Sequence, residues 1–248
     1  MLNIVIPMAG RGQRFIDAGY TLPKPLIPVH GKPMIRLVIA NLTPSCRHRF
    51  HFLVLREHIE RYDLEAGLRE WAPGCGIVVV DRVTEGAACT VLLARDHIDS
   101  EAPLMIANCD QYIDADIDDY LASLGAADGL IMTMWADDPK WSFVRRDASG
   151  RVVEVVEKVV VSNEATVGVY NYRRGADFVS AAEAMIAAEF RVNGEFYVAP
   201  VYNEIIRRGG EIRCHGIGRA GAGMYGIGTP GDLDDFCGRP TSQDAVQF

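Results

Sequence analysis

With 248 residues, 49% of them hydrophobic and 23% charged, the chain is predicted to form a single domain over residues 1-248. No segment has the roughly 18 consecutive apolar residues of a membrane span, and no basic leader opens the chain, so we expect a cytoplasmic protein that does not bind membranes. The net charge of -8 argues against nucleic-acid binding, and six cysteines without Cys-x-x-Cys spacing argue against a zinc site.

The chain opens with an apolar strand that runs into a glycine-rich turn. Leu2 to Pro7 is rich in Ile and Val, and Gly10 and Gly12 follow at once. Glycines let backbone N–H groups approach a phosphate closely, and basic side chains nearby add positive charge. The basic residues are Arg11, Arg14 and Lys24. The pattern favours a polyphosphate cradle, although Gly-x-Gly taken alone is more often an ordinary tight turn.

This opening resembles that of a known family. The segments AGRGQRF and KPLIPVHGKPMI are similar to the signature of the sugar-phosphate nucleotidyltransferases, which include NDP-sugar pyrophosphorylases and cytidylyltransferases. The resemblance implies a three-layer, Rossmann-like α/β fold of the nucleotide-diphospho-sugar transferase (GT-A-like) type, with a mostly parallel mixed central sheet. It implies catalytic roles for Arg14 and Lys24. The nucleotide-binding residues of the loop would be Met8, Ala9, Gly10, Arg11 and Gly12.

Strand and helix patterns alternate through the first half of the chain. They predict helices over Pro33 to Leu42 and Glu57 to Trp71, and strands over Phe50 to Leu55 and Ile77 to Val80. Small residues from Gly86 then lead into a helix toward Asp96. Such alternation indicates a mostly parallel sheet with helices on both faces.

Two turns that follow strands are candidate ligand contacts. The resemblance implies that Gly86 and Ala87 lie beside the nucleotide base. Leu104 to Ala107 is a predicted buried strand, and it delivers Asn108 and Asp110 to its carboxyl end, where ligands of open α/β sheets bind. From its position alone, Asp110 could equally cap the following turn. The resemblance assigns Asp110 as a catalytic residue and the ligand of Mg²⁺, and Asn108 to the nucleotide.

Four aspartates crowd the start of the next predicted helix, which runs toward Leu124. They are Asp114, Asp116, Asp118 and Asp119. They could be taken for the Asp-x-Asp of a glycosyltransferase, but a helix dipole also favours carboxylates at its N-terminus. We prefer capping and solvation.

The second half of the chain mixes strands and helices. Strands are predicted over Gly129 to Ala136, Ser142 to Arg146, Val152 to Glu157 and Ala165 to Arg173, with helices over Gly175 to Ala188 and toward Arg208. The second and third strands alternate like antiparallel partners. A Glu-Lys pair at a strand end is usually an exposed ion pair. The resemblance nevertheless implies an acceptor site formed by Glu157, Lys158, Gly168 and Glu195.

The segment MYGIGTP raises a question about the metal. It resembles a family segment written Trp-x-Asp-Ile/Thr-Gly-Thr-Pro, whose Asp supplies a second carboxylate to Mg²⁺ and falls here on Gly226. Three alternatives stay open: Asp110 and phosphates hold the metal alone, Asp232 substitutes, or catalysis is impaired. Asp232 by itself is typical of the first turn of a final helix.

Taken together, these motifs and the resemblance imply a Mg²⁺-dependent nucleotidyltransferase of the pyrophosphorylase type, as a minimal catalytic domain with no C-terminal repeat domain. It would join an NTP, with CTP favoured over UTP, GTP or dTTP, to a phosphorylated small-molecule acceptor for capsule or surface-polysaccharide precursors. The sequence leaves open whether the chain forms a homo-oligomer. The alternatives are a GT-A-type glycosyltransferase that uses a sugar nucleotide, and a catalytically silent nucleotide-binding homologue, which Gly226 favours.

Overall fold

The computed structural model describes all 248 residues. The strands are β1 (Leu2–Pro7), β2 (Pro28–Val29), β3 (Lys32–Pro33), β4 (His48–Leu55), β5 (Gly76–Val80), β6 (Leu104–Ala107), β7 (Gln111–Ile113), β8 (Gly129–Trp135), β9 (Ser142–Arg146), β10 (Val152–Glu157), β11 (Glu164–Tyr172), β12 (Ile212–Ala220) and β13 (Gly223–Gly226). The helices are α1 (Gln13–Asp17), α2 (Met34–Leu42), α3 (Arg56–Tyr62), α4 (Leu64–Trp71), α5 (Ala87–Leu92), α6 (Arg95–Ile98), α7 (Ile117–Ala122), α8 (Gly175–Ala187), α9 (Tyr202–Arg207), α10 (Pro230–Cys237) and α11 (Pro240–Asp244). Short 3₁₀ turns cover Lys24–Leu26 and Ala199–Val201.

Eleven strands form one mixed sheet. Its main path has the order β5-β4-β1-β6-β11-β8-β12-β13-β7, and β9 joins β10 to β11. Strand β1 is parallel to β4 and β6, and β12 is parallel to β8 and β13. Strand β11 runs antiparallel to both β6 and β8, which makes the sheet mixed as predicted. The antiparallel pairing of β9 with β10 is also confirmed.

Apolar side chains cover both faces of this sheet. Along β1, Ile4 and Ile6 belong to one cluster of 40 buried residues, whereas Val5 belongs to a second cluster of 29. Successive side chains of a strand point to opposite faces, so a continuous apolar strand needs helices on both sides. Helix α2 packs in the first cluster and α8 in the second, giving three layers.

Several predicted elements differ from the observed ones. The helix predicted over Glu57 to Trp71 is two helices, α3 and α4, because Asp63 between them adopts a left-handed backbone with φ 50°. Aspartate tolerates this conformation better than most residues, and the hydrophobic pattern continues across the break. The helix predicted from Gly86 toward Asp96 is likewise divided into α5 and α6. None of the helices combines the length and apolar character that crossing a membrane requires.

Of the four aspartates at the start of α7, Asp116 caps the helix as predicted. The carboxylate of Asp116 accepts hydrogen bonds from the backbone N–H groups of Asp118 and Asp119, at 2.7 and 3.2 Å. The Asp118 carboxylate in turn accepts from the backbone N–H of Ser45 at 3.0 Å. The capping interpretation is therefore confirmed for Asp116.

The short strand β7 is fixed at the edge where β6 ends. The side chain of Asn41 donates to the carbonyl of Ile113 and accepts from its N–H, both at 2.8 Å, which ties β7 to α2. Strand β13 pairs with β7 so that Gly226 lies opposite Gln111, and the N–H of Ile227 donates to the carbonyl of Asp110 at 2.9 Å. These contacts bring β13 beside Asp110.

Candidate active site

The glycine-rich loop after β1 packs directly over Lys24. Gly12 caps the N-terminus of α1 with a left-handed φ of 67°, and a Cβ atom there would lie 3.0 Å from the Cβ of Lys24. A glycine is needed at this position for both the backbone angle and the close approach. Gly10 and Arg11 are exposed in the loop, while Met8 and Ala9 are buried at its start. The loop and Lys24 thus form one unit.

Lys24 contacts Asp110, which lies 86 residues further along the chain. The Lys24 Nζ and Asp110 Oδ2 atoms are 2.8 Å apart, and the two side chains are only 20% and 25% exposed. Burial by itself would lower the pKa of Lys24, but the attraction of the Asp110 carboxylate outweighs it and the pKa is raised above its ordinary value. The ammonium group is therefore held charged against Asp110.

The absence of a side chain at Gly228 lets the GIGTP segment approach the Lys24–Asp110 pair closely. A Cβ atom at Gly228 would lie 2.4 Å from Oδ2 of Asp110. At Gly226, by contrast, a Cβ atom would meet nothing within 4 Å. The chain therefore packs against Asp110 at one glycine and leaves open space at the other.

A cavity of about 580 Å³ opens in front of Asp110. Its charged lining residues are Arg14, Lys140, Arg239, Asp110, Asp232 and Asp235. Arg239 pairs with Asp235 at 2.8 Å, whereas the guanidinium group of Arg14 forms neither a salt bridge nor a hydrogen bond in the structure. A free guanidinium beside a neutralised carboxylate is suited to binding a phosphate group.

A second cavity, of about 280 Å³, adjoins the first. Asn108, Lys140 and Trp141 line both cavities. Of the predicted acceptor residues, Glu157 and Gly168 line the smaller cavity, as does Ala87, which was predicted to contact the nucleotide base. Two adjoining cavities that meet at Asn108 can hold two substrates with their reacting groups in contact.

Gly168 lines the smaller cavity beside Asn108, which lines both cavities. Its backbone is left-handed, with φ 80°, at an irregularity in the pairing of β11 with β8. Its carbonyl accepts a hydrogen bond of 3.0 Å from the N–H of Asn108, and a Cβ atom would lie 2.1 Å from Asn108 Nδ2. The absence of a side chain at Gly168 therefore lets the Asn108 amide pack directly over the backbone.

Glu157 places a carboxylate inside the smaller cavity. It is buried and accepts a hydrogen bond from the Ser142 hydroxyl. Burial raises the pKa of Glu157 above its ordinary value, although the Ser142 hydrogen bond and the charge of Lys158 act in the opposite direction. A buried carboxylate with spare acceptor capacity is suited to hold a hydroxyl or an amine of a ligand.

Replacing Glu157 by glutamine is expected to change how the stability of the protein depends on pH. A group with a raised pKa stabilises the folded state at low pH and loses that contribution as the pH rises through its pKa. The difference in the free energy of unfolding, Glu157→Gln minus wild type, should therefore be larger at pH 7 than at pH 4. Urea unfolding at the two pH values measures this. An equal difference at both pH values would contradict the raised pKa.

Lys158 and Glu195 lie at the margin of this site. Lys158 has a left-handed backbone, with φ 58°, and donates to the hydroxyl of Tyr197, with its Nζ 4.5 Å from the centre of that ring. Tyr197 lines the smaller cavity, whereas neither Lys158 nor Glu195 does. Glu195 is exposed. Of the four predicted acceptor residues, two line the cavity directly and Lys158 reaches it through Tyr197.

Gly86 packs closely against Phe196 and lines neither cavity. A Cβ atom there would lie 2.4 Å from the carbonyl oxygen of Phe196, and that carbonyl accepts a hydrogen bond of 3.0 Å from the N–H of Ala88. The turn before α5 is thus fixed against the segment that carries Tyr197. This contact positions Ala87 at the smaller cavity.

Several lining residues were not predicted from the sequence. They are Gln111, Lys140, Trp141, Ser142, Tyr170 and Tyr197. Lys140 and Trp141 precede a predicted strand, and a basic residue next to an aromatic one was the signal that could have pointed to them. Gln111 had no such signal, because its position depends on the pairing of β7 with β13.

The carboxylates of the site fit a Mg²⁺ ion only together with phosphates. No group of three or more His, Cys, Asp or Glu side chains is arranged to hold a metal. Asp232 lies in the first turn of α10, whose N-cap is Thr229, and its carboxylate accepts from the Thr229 hydroxyl at 2.7 Å. Asp110 is the carboxylate left for a metal. Mg²⁺ is often held by one or two carboxylates, substrate phosphates and water, and this donor set fits that pattern.

Known proteins share this sequence pattern and this fold. A family model described as Nucleotidyl transferase matches residues 4–189. The bifunctional protein GlmU of Pseudomonas fluorescens is 31% identical over 164 residues, which are 63% of this chain and 33% of that protein. The mannose-1-phosphate guanylyltransferase catalytic subunit beta of Danio rerio is 28% identical over 180 residues, 68% of this chain and 49% of that protein. The chain thus spans about a third to a half of the length of these relatives.

A solved structure extends the comparison to the fold. The nucleoside-diphosphate-sugar pyrophosphorylase from Vibrio cholerae RC9 superposes with a TM-score of 0.82 at 27% identity, covering 95% of this chain and 100% of that one. This similarity confirms the predicted Rossmann-like α/β fold with a mostly parallel mixed sheet. Because the family model spans most of the sequence, the chain belongs to the nucleotidyl transferase family.

Proposed function

We propose that this protein transfers the nucleotidyl group of an NTP to a phosphorylated small-molecule acceptor and releases pyrophosphate, in a Mg²⁺-dependent reaction. The observation that carries the proposal is the Lys24–Asp110 pair, which lies beneath the glycine-rich loop and beside the junction of two cavities. One cavity would hold the nucleotide phosphates and the other the acceptor.

In the proposed reaction a phosphate oxygen of the acceptor attacks the α-phosphorus of the NTP. The bond from that phosphorus to the bridging oxygen of the β-phosphate breaks, and pyrophosphate leaves with the electron pair. Such a transfer requires in-line positioning and stabilisation of negative charge more than covalent catalysis. Arg14 and Lys24 would supply positive charge, and Asn108 would orient the phosphates at the junction. When bound at Asp110, Mg²⁺ would neutralise phosphate charge.

The acceptor would bind in the smaller cavity, whose volume of about 280 Å³ suits a small molecule. Glu157 would accept a hydrogen bond from its hydroxyl or amine group, and Lys140 would meet its phosphate where the cavities join. The guanylyltransferase and NDP-sugar pyrophosphorylase named above support a sugar 1-phosphate as acceptor. Non-sugar phosphates remain alternatives within this proposal.

We favour CTP as the nucleotide and capsule or surface-polysaccharide precursors as the product class. This preference rests on the residue pattern of the segments PMAGRGQRF, PKPLIPVHGKPMI and GIGTP. UTP, GTP and dTTP are the alternatives. The cytoplasm is the expected compartment, where NTPs are available.

A panel of nucleotides and acceptors tests the proposal. Pyrophosphate release would be measured with CTP, UTP, GTP, ATP and dTTP, each with Mg²⁺ and pooled sugar 1-phosphates, phosphocholine and phosphoglutamine. Release with one NTP, dependent on both acceptor and Mg²⁺, is the expected result. Binding of an NTP without release from any combination would contradict transfer to these acceptors and favour the catalytically silent homologue, which the open position at Gly226 also favours.

A further inference from the structure

Gln111 has an unpaired polar group at the wall of the larger cavity. Only 3% of the residue is exposed, and its buried Nε2 atom has no hydrogen-bond partner. Five buried side-chain polar atoms in the protein lack a partner, and Gln111 Nε2 is the one that belongs to a residue lining this cavity. Buried amide groups are normally satisfied, so an orphan donor beside a cavity points to a ligand that accepts from it.

The opposite strand leaves room for this amide. Gln111 pairs directly with Gly226 across the antiparallel β7–β13 ladder, and side chains of directly opposed residues project from the same face of a sheet. Gly226 has no side chain, and a Cβ atom there would meet nothing within 4 Å. The Gln111 amide therefore has no competitor for the space next to its neighbour Asp110.

Gln111 also approaches the junction of the two cavities. A Cβ atom built on Gly168 would lie 3.0 Å from Gln111 Oε1 and 2.1 Å from Asn108 Nδ2. The two amide side chains thus converge above the same glycine. A half-turn of the terminal amide of Gln111 exchanges the positions of Oε1 and Nε2, so the donor can reach this point without moving the backbone.

We propose that Gln111 contacts the substrate, its Nε2 group donating a hydrogen bond to a non-bridging phosphate oxygen of the nucleotide beside Asp110. The inference rests on the proposed function, because it presumes that phosphates occupy the larger cavity. A neutral amide suits the position: it adds a donor to the phosphates without adding the negative charge that a second carboxylate would bring. Where the resemblance led us to look for an anionic metal ligand, the structure offers a phosphate donor from the neighbouring strand.

Binding of inorganic tripolyphosphate and of CTP tests the inference, because tripolyphosphate does not depend on the choice of base. Titration calorimetry would be done with Mg²⁺ and again with EDTA. Gln111→Leu keeps a similar volume without the donor and is expected to raise the Kd of both probes about tenfold in both conditions. Gln111→Glu should raise the Kd at least as much, because its carboxylate repels phosphate. Gln247→Leu is the matched control, since Gln247 is exposed near the C-terminus and lines neither cavity.

Two results would overturn the inference alone. One is an unchanged Kd in Gln111→Leu, and the other is tighter binding of Mg²⁺-tripolyphosphate by Gln111→Glu, which would place the side chain against the metal. If Gln111→Leu fails to fold by circular dichroism, the Gln111→Glu titrations decide. A wild-type protein that binds neither probe would overturn the proposed function and this inference together.

Discussion

Asp110→Asn is expected to lower pyrophosphate release by a factor of roughly 100 to 1,000, the usual effect of removing one key electrostatic group. The change removes the carboxylate proposed to hold Mg²⁺ and the counter-charge of Lys24, 2.8 Å away. An asparagine oxygen can still accept from Lys24, so the fold should persist with a loss of no more than about 1 to 3 kcal/mol. Initial rates at saturating Mg²⁺, together with urea unfolding, measure both effects.

Asp232→Asn provides the matched control for this experiment. Asp232 lines the same cavity, but its carboxylate is engaged with Thr229 at the start of α10. Its amide variant should keep turnover within about threefold of wild type, because the Thr229 cap is unchanged and the amide oxygen can still accept from it. If Asp232→Asn lost activity as severely as Asp110→Asn, the metal carboxylate would have to be shared between the two positions.

Gly168→Ala is expected to destabilise the protein by about 2 to 5 kcal/mol and to abolish turnover. A side chain at a left-handed φ of 80° costs roughly 1 to 2 kcal/mol, and overpacking adds about 1 to 3 kcal/mol. The new methyl group would lie 2.1 Å from Asn108 Nδ2 and must push that amide out of the junction. Urea unfolding and initial rates are the measurements.

Gly150→Ala separates backbone strain from crowding. Gly150 has nearly the same φ, 84°, in the turn between β9 and β10, and a Cβ atom there would meet nothing within 4 Å. Only the backbone cost of about 1 to 2 kcal/mol is expected, with turnover unchanged. Equal losses of stability in the two variants would mean that the Asn108 side chain moves aside without an energetic cost. Gly168 would then be needed for its backbone angle alone.

Much of this site was predictable because several of its residues belong to short, recognisable sequence motifs. The glycine loop, Lys24 and Asp110 were each identified from the residues around them or from the family resemblance, and the fold brings them together. The mostly parallel sheet with helices on both faces followed from the alternation of apolar strands and helical patterns, and the type of fold followed from the family resemblance. Gly168 could be anticipated too, since a glycine within an apolar strand often marks a close backbone approach.

Other features depend on long-range geometry that no local pattern carries. The break at Asp63 interrupts a helical pattern that is continuous in the sequence, because one backbone angle differs. Strands β7 and β13 are three and four residues long, and their pairing alone brings Gln111 next to Gly226. Tyr197 becomes a cavity residue because its segment packs on Gly86. In each case tertiary packing decides the position.

The pairing of Lys24 with Asp110 also affects how an anion enters the cavity. The molecule carries a net charge of -8 and therefore repels a polyanion at a distance. In the larger cavity Asp110 is paired with Lys24 while the Arg14 guanidinium has no partner, so a phosphate that comes within the Debye length of about 8 Å meets an unpaired positive charge there. The charges thus do little to increase the frequency of encounters. We expect them to act on the orientation of capture instead, so that a nucleotide bound as proposed would enter with its phosphates first.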